Sequence, residues 1–205
     1  MWYPALVSIS HPIRKSLKRR EVVGGARFLT FSCQRRLPLL SNPDIARVFV
    51  ESLENTRDRS GFELFAWVVM PEHVHLLVRP PVSNDGVQSP LAPILKGLKS
   101  SLARRVLTRW AELDASILSR IDDGKGHPRF WQKGGGFDRN VRDQREFCKT
   151  VQYIHRNPVE RGLVERCEDW EWSSVRWWMG RQDGEVRCDD SPGDQKAWRA
   201  WKGFL

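Results

Sequence analysis

The sequence predicts an α+β fold: an antiparallel sheet with helices packed on one face, in a ferredoxin-like arrangement. Three observations lead there. Two β-rich runs are joined by the tight Pro71-Glu72 connection of an antiparallel hairpin. Amphipathic helical stripes lie before and after that pair. The elements follow one another as strand, helix, hairpin, helix, strand, helix. A chain of 205 residues has room for one such domain with appendages, since domains run to about 100–200 residues.

In order, residues 1–25 read as a basic lead-in closing at Gly24 and Gly25, residues 26–180 as the domain, and residues 181–205 as a tail, acidic and then tryptophan-containing. The first strand is expected over Arg27 to Cys33 (RFLTFSC). Asn42 and Pro43 resemble a helix cap and a first-turn proline, and Ile45, Val48, Phe49 and Leu53 recur at helical spacing to about Thr56. Phe62 to Met70 and His73 to Val78 form the hairpin and should be central strands. After a polar loop from Pro80 to Pro90, a second helix runs from Leu91 to Trp110, with Ile94, Leu98, Leu102 and Val106 on its apolar stripe. A short strand is expected near Arg129 to Gln132, ahead of Gly134-Gly135-Gly136. The third helix starts at Asp143 and should end near Arg156, because Pro158 disfavours helical backbone at Asn157.

Composition fits a soluble globule: with 40% hydrophobic and 29% charged residues the chain can bury a core and is neither fibrous nor wholly disordered. Lys and Arg total 34 against 25 Asp and Glu, a net charge of +9, which favours a polyanionic partner such as nucleic acid. The basic residues cluster: five of the seven from Arg14 to Arg20 are Lys or Arg, and Lys125 to Lys149 holds seven basic residues against three acidic. Charge alone does not separate DNA from RNA or an anionic membrane. The four cysteines show no CxxC pair, as expected of free thiols in a reducing cytoplasm. The apolar stretch Trp2 to Ile9 precedes its positive charges, the reverse of a secretory signal, and no run approaches the ~20 apolar residues of a membrane span. No membrane partner is expected.

His73 and His75 are the first candidate site. Alternate strand residues share a face, so both imidazoles project together while Val74 points into the packed side. Two imidazoles side by side can share a metal, or they can simply border the core. With an oxygen ligand added they suit Mn²⁺ or Mg²⁺ on a nucleic-acid substrate, and imidazole also suits zinc.

The third helix supplies the second candidate. Phe147, Val151 and Ile154 form its core stripe, and at about 100° per residue Tyr153 and Asn157 fall roughly 40° apart on a flank away from it. His155 falls on the opposite flank. Tyr153 is the one tyrosine outside the lead-in, so a nucleophilic tyrosine has to be this one. A phenol near pKa 10 needs a cation or metal to favour the phenolate, and Lys149 lies one turn earlier. A half-buried tyrosine with its hydroxyl in water is the plainer reading. Asn157 is either a metal ligand or a helix-end cap.

Three segments in order, WVVMPEHVHLLV (Trp67 to Val78), FWQKGGGFDRNVRD (Phe130 to Asp143) and YIHRNPVERGLVERCEDWEWSSVRWW (Tyr153 to Trp178), resemble the single-tyrosine HUH transposases. Among these the REP-associated tyrosine transposases, relatives of the small insertion-sequence transposases, are the nearest in pattern. The resemblance covers roughly Ala26 to Trp178 and implies an RRM-like palm. It further implies that His73 and His75 are the HUH pair, Asn157 the third ligand of Mg²⁺ or Mn²⁺, and Tyr153 the nucleophile. The implied substrate is single-stranded DNA folded into hairpins from palindromic repeats, cut and rejoined through a 5′-phosphotyrosine. Lys133, Arg139, Arg142, Arg145 and Lys149 are candidates for backbone phosphates, with Arg139 alternatively pairing Asp143. One or two of the ten tryptophans are candidates for stacking on unpaired bases. No Walker-type loop is present, so no nucleotide cofactor is expected. Two rival functions remain: a single-strand-binding protein that no longer cuts, and a metal-dependent nuclease with no covalent intermediate. The target sequence and the choice between monomer and homodimer stay open.

Overall fold

The computed structural model describes residues 22–134, 136–181 and 186–190. Four antiparallel strands form one sheet in the order β2-β3-β1-β4. These are β1 (Arg27–Ser32), β2 (Glu63–Val69), β3 (His73–Arg79) and β4 (Phe137–Asn140). The hairpin closes at Pro71-Glu72, where Met70 N–H donates to the His73 carbonyl at 2.8 Å. Three long helices accompany the sheet: α1 (Pro43–Ser60), α2 (Leu91–Glu112) and, after the short α3 (Ile117–Arg120), α4 (Gln144–Glu160). A last short helix, α5 (Val175–Trp178), follows.

The α+β class and the antiparallel sheet are as expected, but the helices lie on both faces rather than one. Leu29, Phe31, Trp67, Val69, Val74 and Leu76 face α1 and α2 in the larger core. Phe28, Phe65, Val68 and Leu77 face Phe147, Val151 and Ile154 of α4 in a second core. The physical reason lies in β2 and β3, buried at all but their first and last positions respectively. Strands apolar on both sides need a layer on each. A bulge between Leu64 and Ala66 adds to this by turning Phe65 and Ala66 to the α4 side.

Asn42 caps α1, its side chain accepting from Asp44 N–H, and Gly61 closes it in the left-handed region at φ 65°. At α4, Asp143 caps the start by accepting from Glu146 N–H. The helix does not stop at Asn157. It carries Pro158 inside it, runs to Glu160 and ends at Gly162, φ 66°. Proline here removes one hydrogen bond in the last turn, and the Asn157 and Pro158 carbonyls still accept from Arg161 and Leu163 N–H.

The fourth strand also differs from expectation. Arg129 to Gln132 contributes only an isolated bridge, Trp131 to Cys33, and its β-rich look reflects burial of Phe130 and Trp131 in the larger core. The ladder strand is Phe137–Asn140, beyond the glycine run. Gly136, at φ 80°, lets the chain reach β1, for a Cβ there would run into the Thr30 carbonyl oxygen. Arg27 and Asp138, paired bidentately at 3.0 and 2.7 Å, fix the register. An edge strand pinned by an ion pair carries little apolar alternation to read.

The lead-in up to residue 21 lies outside the described residues, as do residues 182–185 and 191–205 of the tail. Residues 186–190 pack back on the domain. Val186 is buried in the larger core, and Asp189 bonds the Leu64 backbone through both its N–H and its carboxylate while pairing with Arg57 at 2.7 Å.

Candidate active site

The period-two geometry of β3 puts His73 and His75 on the α4 side of the sheet, with Val74 buried on the other. Their rings meet edge to face, and the two Nε2 atoms lie 2.9 Å apart. Each ring is held from behind. His73 Nδ1 lies 3.1 Å from Glu72 Oε1, and His75 Nδ1 lies 2.7 Å from Oγ1 of Thr30, its register partner on β1. Arg161, just past α4, fixes Glu72 at 2.8 Å. Phe28 stacks on the His75 ring at 5.4 Å.

Burial pushes both imidazoles down in pKa. His75 falls to about 3, helped by the neighbouring His73, and for His73 desolvation outweighs the opposing pull of Glu72. Both rings are therefore neutral at physiological pH, the form that ligates a metal. One proton arrangement satisfies the row without any ion: Thr30 donates to His75, His75 Nε2–H to His73, and His73 Nδ1–H to Glu72. Moving the His75 proton to Nδ1 makes Thr30 an acceptor and leaves two Nε2 lone pairs converging.

Tyr153 and Asn157 of α4 line the same cleft of about 570 Å³ as the histidines, with Arg36, Glu160 and Arg161 at its rim. Tyr153 is 43% exposed, its ring 5.3 Å from that of His75 and 5.8 Å from that of Phe28. Asn157 is buried, and its Oδ1 has no hydrogen-bond partner. A buried carbonyl oxygen left unpaired costs about 1–3 kcal/mol. Because α4 continues past it, Asn157 is not a helix-end cap. His155, on the opposite flank as expected, is fully buried, bonds Ser174 Oγ at 2.8 Å, and is pushed down to about 3 by that burial.

These residues fit a divalent cation. Two nitrogens about 2.1 Å from one octahedral ion at right angles sit about 3.0 Å apart, close to the observed separation. Hydrogen-bonded partners behind both rings are the usual support of metal-binding histidines. Among the described residues no group of three or more His, Cys, Asp and Glu side chains could hold a metal, so a third donor has to be of another kind, such as the unpaired Asn157 amide oxygen. Glu146, the carboxylate to consider in place of Asn157, lines a different cleft.

That second cleft, about 720 Å³, shares Phe28, Phe137 and Tyr153 with the first and is lined by Arg139, Arg142, Arg145 and Lys149. Glu146 sits among these cations, pairing with Arg139 at 2.5 Å and Arg142 at 3.0 Å. Arg139 thus pairs with Glu146 rather than with Asp143, which caps the helix. Arg145 and Lys149 have no ion-pair partner among the described residues. Lys133 is exposed but lines neither cleft, on a segment held by Lys99 through the Gln132 and Gly134 carbonyls.

Sequence reasoning did not find Thr30, Glu72, Arg161 or Phe28. Glu72 was detectable as an acid next to the histidine pair. The others come from distant segments and leave no local pattern.

Residues 27–157 match the family model described as Transposase IS200 like. The chain belongs to this family. The matched span opens with β1 and takes in both histidines, Tyr153 and Asn157, so the expected transposase kinship is borne out. The REP-associated tyrosine transposase of Escherichia coli K12 is 27% identical over 158 residues, 77% of this chain and 80% of the relative. A Haemophilus influenzae protein provisionally given the same name is 27% identical over 176 residues, 81% of this chain and 94% of its own length. A REP-associated tyrosine transposase solved bound to a REP hairpin shares the fold of this transposase, with a TM-score of 0.62 and 21% identity over 88% of this chain and 94% of that one. No helix among the described residues is long and apolar enough to cross a membrane.

Proposed function

We propose that this transposase nicks and rejoins single-stranded DNA at hairpins from palindromic repeats, with Tyr153 as nucleophile. The reading is carried by the position of Tyr153: half-exposed, one turn from a buried amide oxygen with no hydrogen-bond partner, against a ring of the histidine pair, and at the junction of that cleft with the basic one. The relative solved with a REP hairpin supports the choice of substrate.

In this mechanism Arg145 and Lys149 hold backbone phosphates and bring the scissile phosphate to Tyr153. The Tyr153 proton passes to solvent, with Lys149 favouring the phenolate. The phenolate oxygen attacks phosphorus, the bond to the 3′ oxygen breaks, and that oxygen leaves as a 3′-hydroxyl after taking a proton from water. Attack by a second 3′-hydroxyl reverses these steps and joins strands. Because the phosphotyrosine conserves the phosphodiester bond energy, no nucleotide cofactor is consumed. A Mg²⁺ or Mn²⁺ ion held by His73, His75 and Asn157 would polarise the phosphate. Thr30 and Glu72 keep the two rings turned towards it.

The test is a denaturing gel of a hairpin-bearing single strand incubated with the transposase and Mn²⁺. A covalent protein–DNA adduct is expected with wild type and none with Tyr153→Phe, whose binding should stay within a few-fold. Cleavage by Tyr153→Phe at the wild-type rate would overturn the mechanism, and cleavage without any adduct would favour a plain nuclease.

A further inference from the structure

Phe137 is unusual in this molecule. It is a large aromatic on an edge strand, 51% exposed, whereas every tryptophan among the described residues is buried or half-buried. The described tryptophans are therefore poorly presented for stacking on DNA, while Trp2, Trp198 and Trp201 lie outside the described residues. Phe137 and Tyr153 are the large apolar or aromatic side chains left exposed at the two clefts, and Phe28 lies between them. Its ring centroid is 6.0 Å from Phe137 and 5.8 Å from Tyr153, edge-on to each. The three rings make an open slot whose remaining wall carries Arg139, Arg142, Arg145 and Lys149, with Asp143 and Glu146 among them.

Packing accounts for only part of a phenylalanine there: its ring meets Phe28 edge-on, and half of it stays exposed. The β4 register is fixed by Arg27–Asp138, and Phe137 is not part of either buried core. An exposed aromatic face costs solvation, and beside Arg145 and Lys149, which have no ion-pair partner among the described residues, it matches one ligand chemistry well: a planar ring carrying phosphates on either side. We propose that Phe137 is the stacking platform for one unpaired nucleobase next to the scissile phosphate, with Phe28 as the floor of the slot and Arg145 and Lys149 on the adjoining phosphates. The inference rests on the proposed DNA-cutting function and extends it to the nucleotide beside the cut. Stacking on an aromatic side chain tolerates any base, so the slot fixes the position of the strand and leaves the choice of sequence to other contacts.

The test uses a DNA hairpin with unpaired thymidine tails in which a single 2-aminopurine is moved one position at a time, in excess chelator so that no cleavage occurs. Wild type should quench one tail position selectively. Phe137→Leu should lose that quench and bind about tenfold more weakly, within the range of one lost base–aromatic stack. Phe137→Trp should keep both. Thermal stability of the two variants should stay close to wild type, because half of the side chain is exposed and it belongs to neither buried core. Selective quenching that survives in Phe137→Leu, or its absence from wild type, overturns the slot. Failure of the cutting mechanism would look different: quenching intact, with no covalent adduct once metal is supplied.

Discussion

The two clefts meeting at Tyr153 are built in opposite ways. The histidine cleft is assembled from the middle of the sheet: His73 and His75 are 7% and 3% exposed, both neutral, and each ring nitrogen facing away from the cleft is already bonded. The basic cleft is assembled from the edge strand and one helix face, with Arg142, Arg145 and Lys149 exposed and part of its charge matched by Glu146. Rigidity and desolvation serve a step that needs atoms fixed to a fraction of an ångström. Exposed long side chains serve a substrate that must arrive, shift and leave, through interactions that salt screens. Damage on the histidine side should therefore fall on chemistry, and damage on the basic side on binding.

The largest effect expected is at the histidines. His73→Ala and His75→Ala should each reduce adduct formation at least 100-fold while hairpin binding in chelator stays within a few-fold. Chelator should silence the wild type, and Mn²⁺ or Mg²⁺ should restore it. Adduct formation at the wild-type rate in excess chelator would remove the metal and erase the division between the clefts.

Asn157→Leu comes next, and its two readouts should move in opposite directions. It removes a buried oxygen that has no partner, so the metal-free variant should melt at or above the wild-type temperature. The same oxygen is the proposed third ligand, so metal affinity should fall about 10- to 100-fold. A variant both less stable and normal in metal binding would make Asn157 a structural residue. Thr30→Val should act in the same sense more gently, weakening metal binding about tenfold by freeing His75 Nδ1. Thr30→Ser should rescue it, since only the hydroxyl matters.

What could be read beforehand divides along physical lines. His73 and His75 share a face because strand geometry has a period of two, and Tyr153 and Asn157 share one because helix geometry has a period of 3.6. Both patterns are local, and the structure brings all four residues to one cleft. The second helical layer is legible in Leu64 to Met70 and Leu76 to Val78, near-continuous apolar runs that a strand covered on one face only would break with polar residues, but the runs do not say which helix covers which face. β4 was missed because its register rests on Gly136 against Thr30 and on Arg27 against Asp138, contacts between segments more than a hundred residues apart. Pro158 marks a helix end in isolation, yet here α4 runs on through it, with Asn157 and Pro158 buried.

The smallest effect expected is the most direct probe of the basic cleft. Glu146 places one negative charge between Arg139 and Arg142, and its Oε2 also accepts from Arg142 N–H at 2.9 Å. Glu146→Gln keeps an oxygen for that N–H and removes the charge. The helix start should survive, because it is the Asp143 carboxylate that accepts from the backbone N–H of residue 146. Two arginines released from a carboxylate become available to phosphate, so hairpin binding should tighten about two- to fivefold at low salt. The dependence on salt should steepen by about 0.7 for each phosphate newly contacted on a single strand. The gain should vanish at high salt, and the rate of adduct formation at saturating DNA should stay unchanged. Weaker binding with an unchanged salt slope would mean that Glu146 orders the two arginines rather than competing for them, and a slower saturated rate would mean that the edge of the sheet takes part in the chemistry after all.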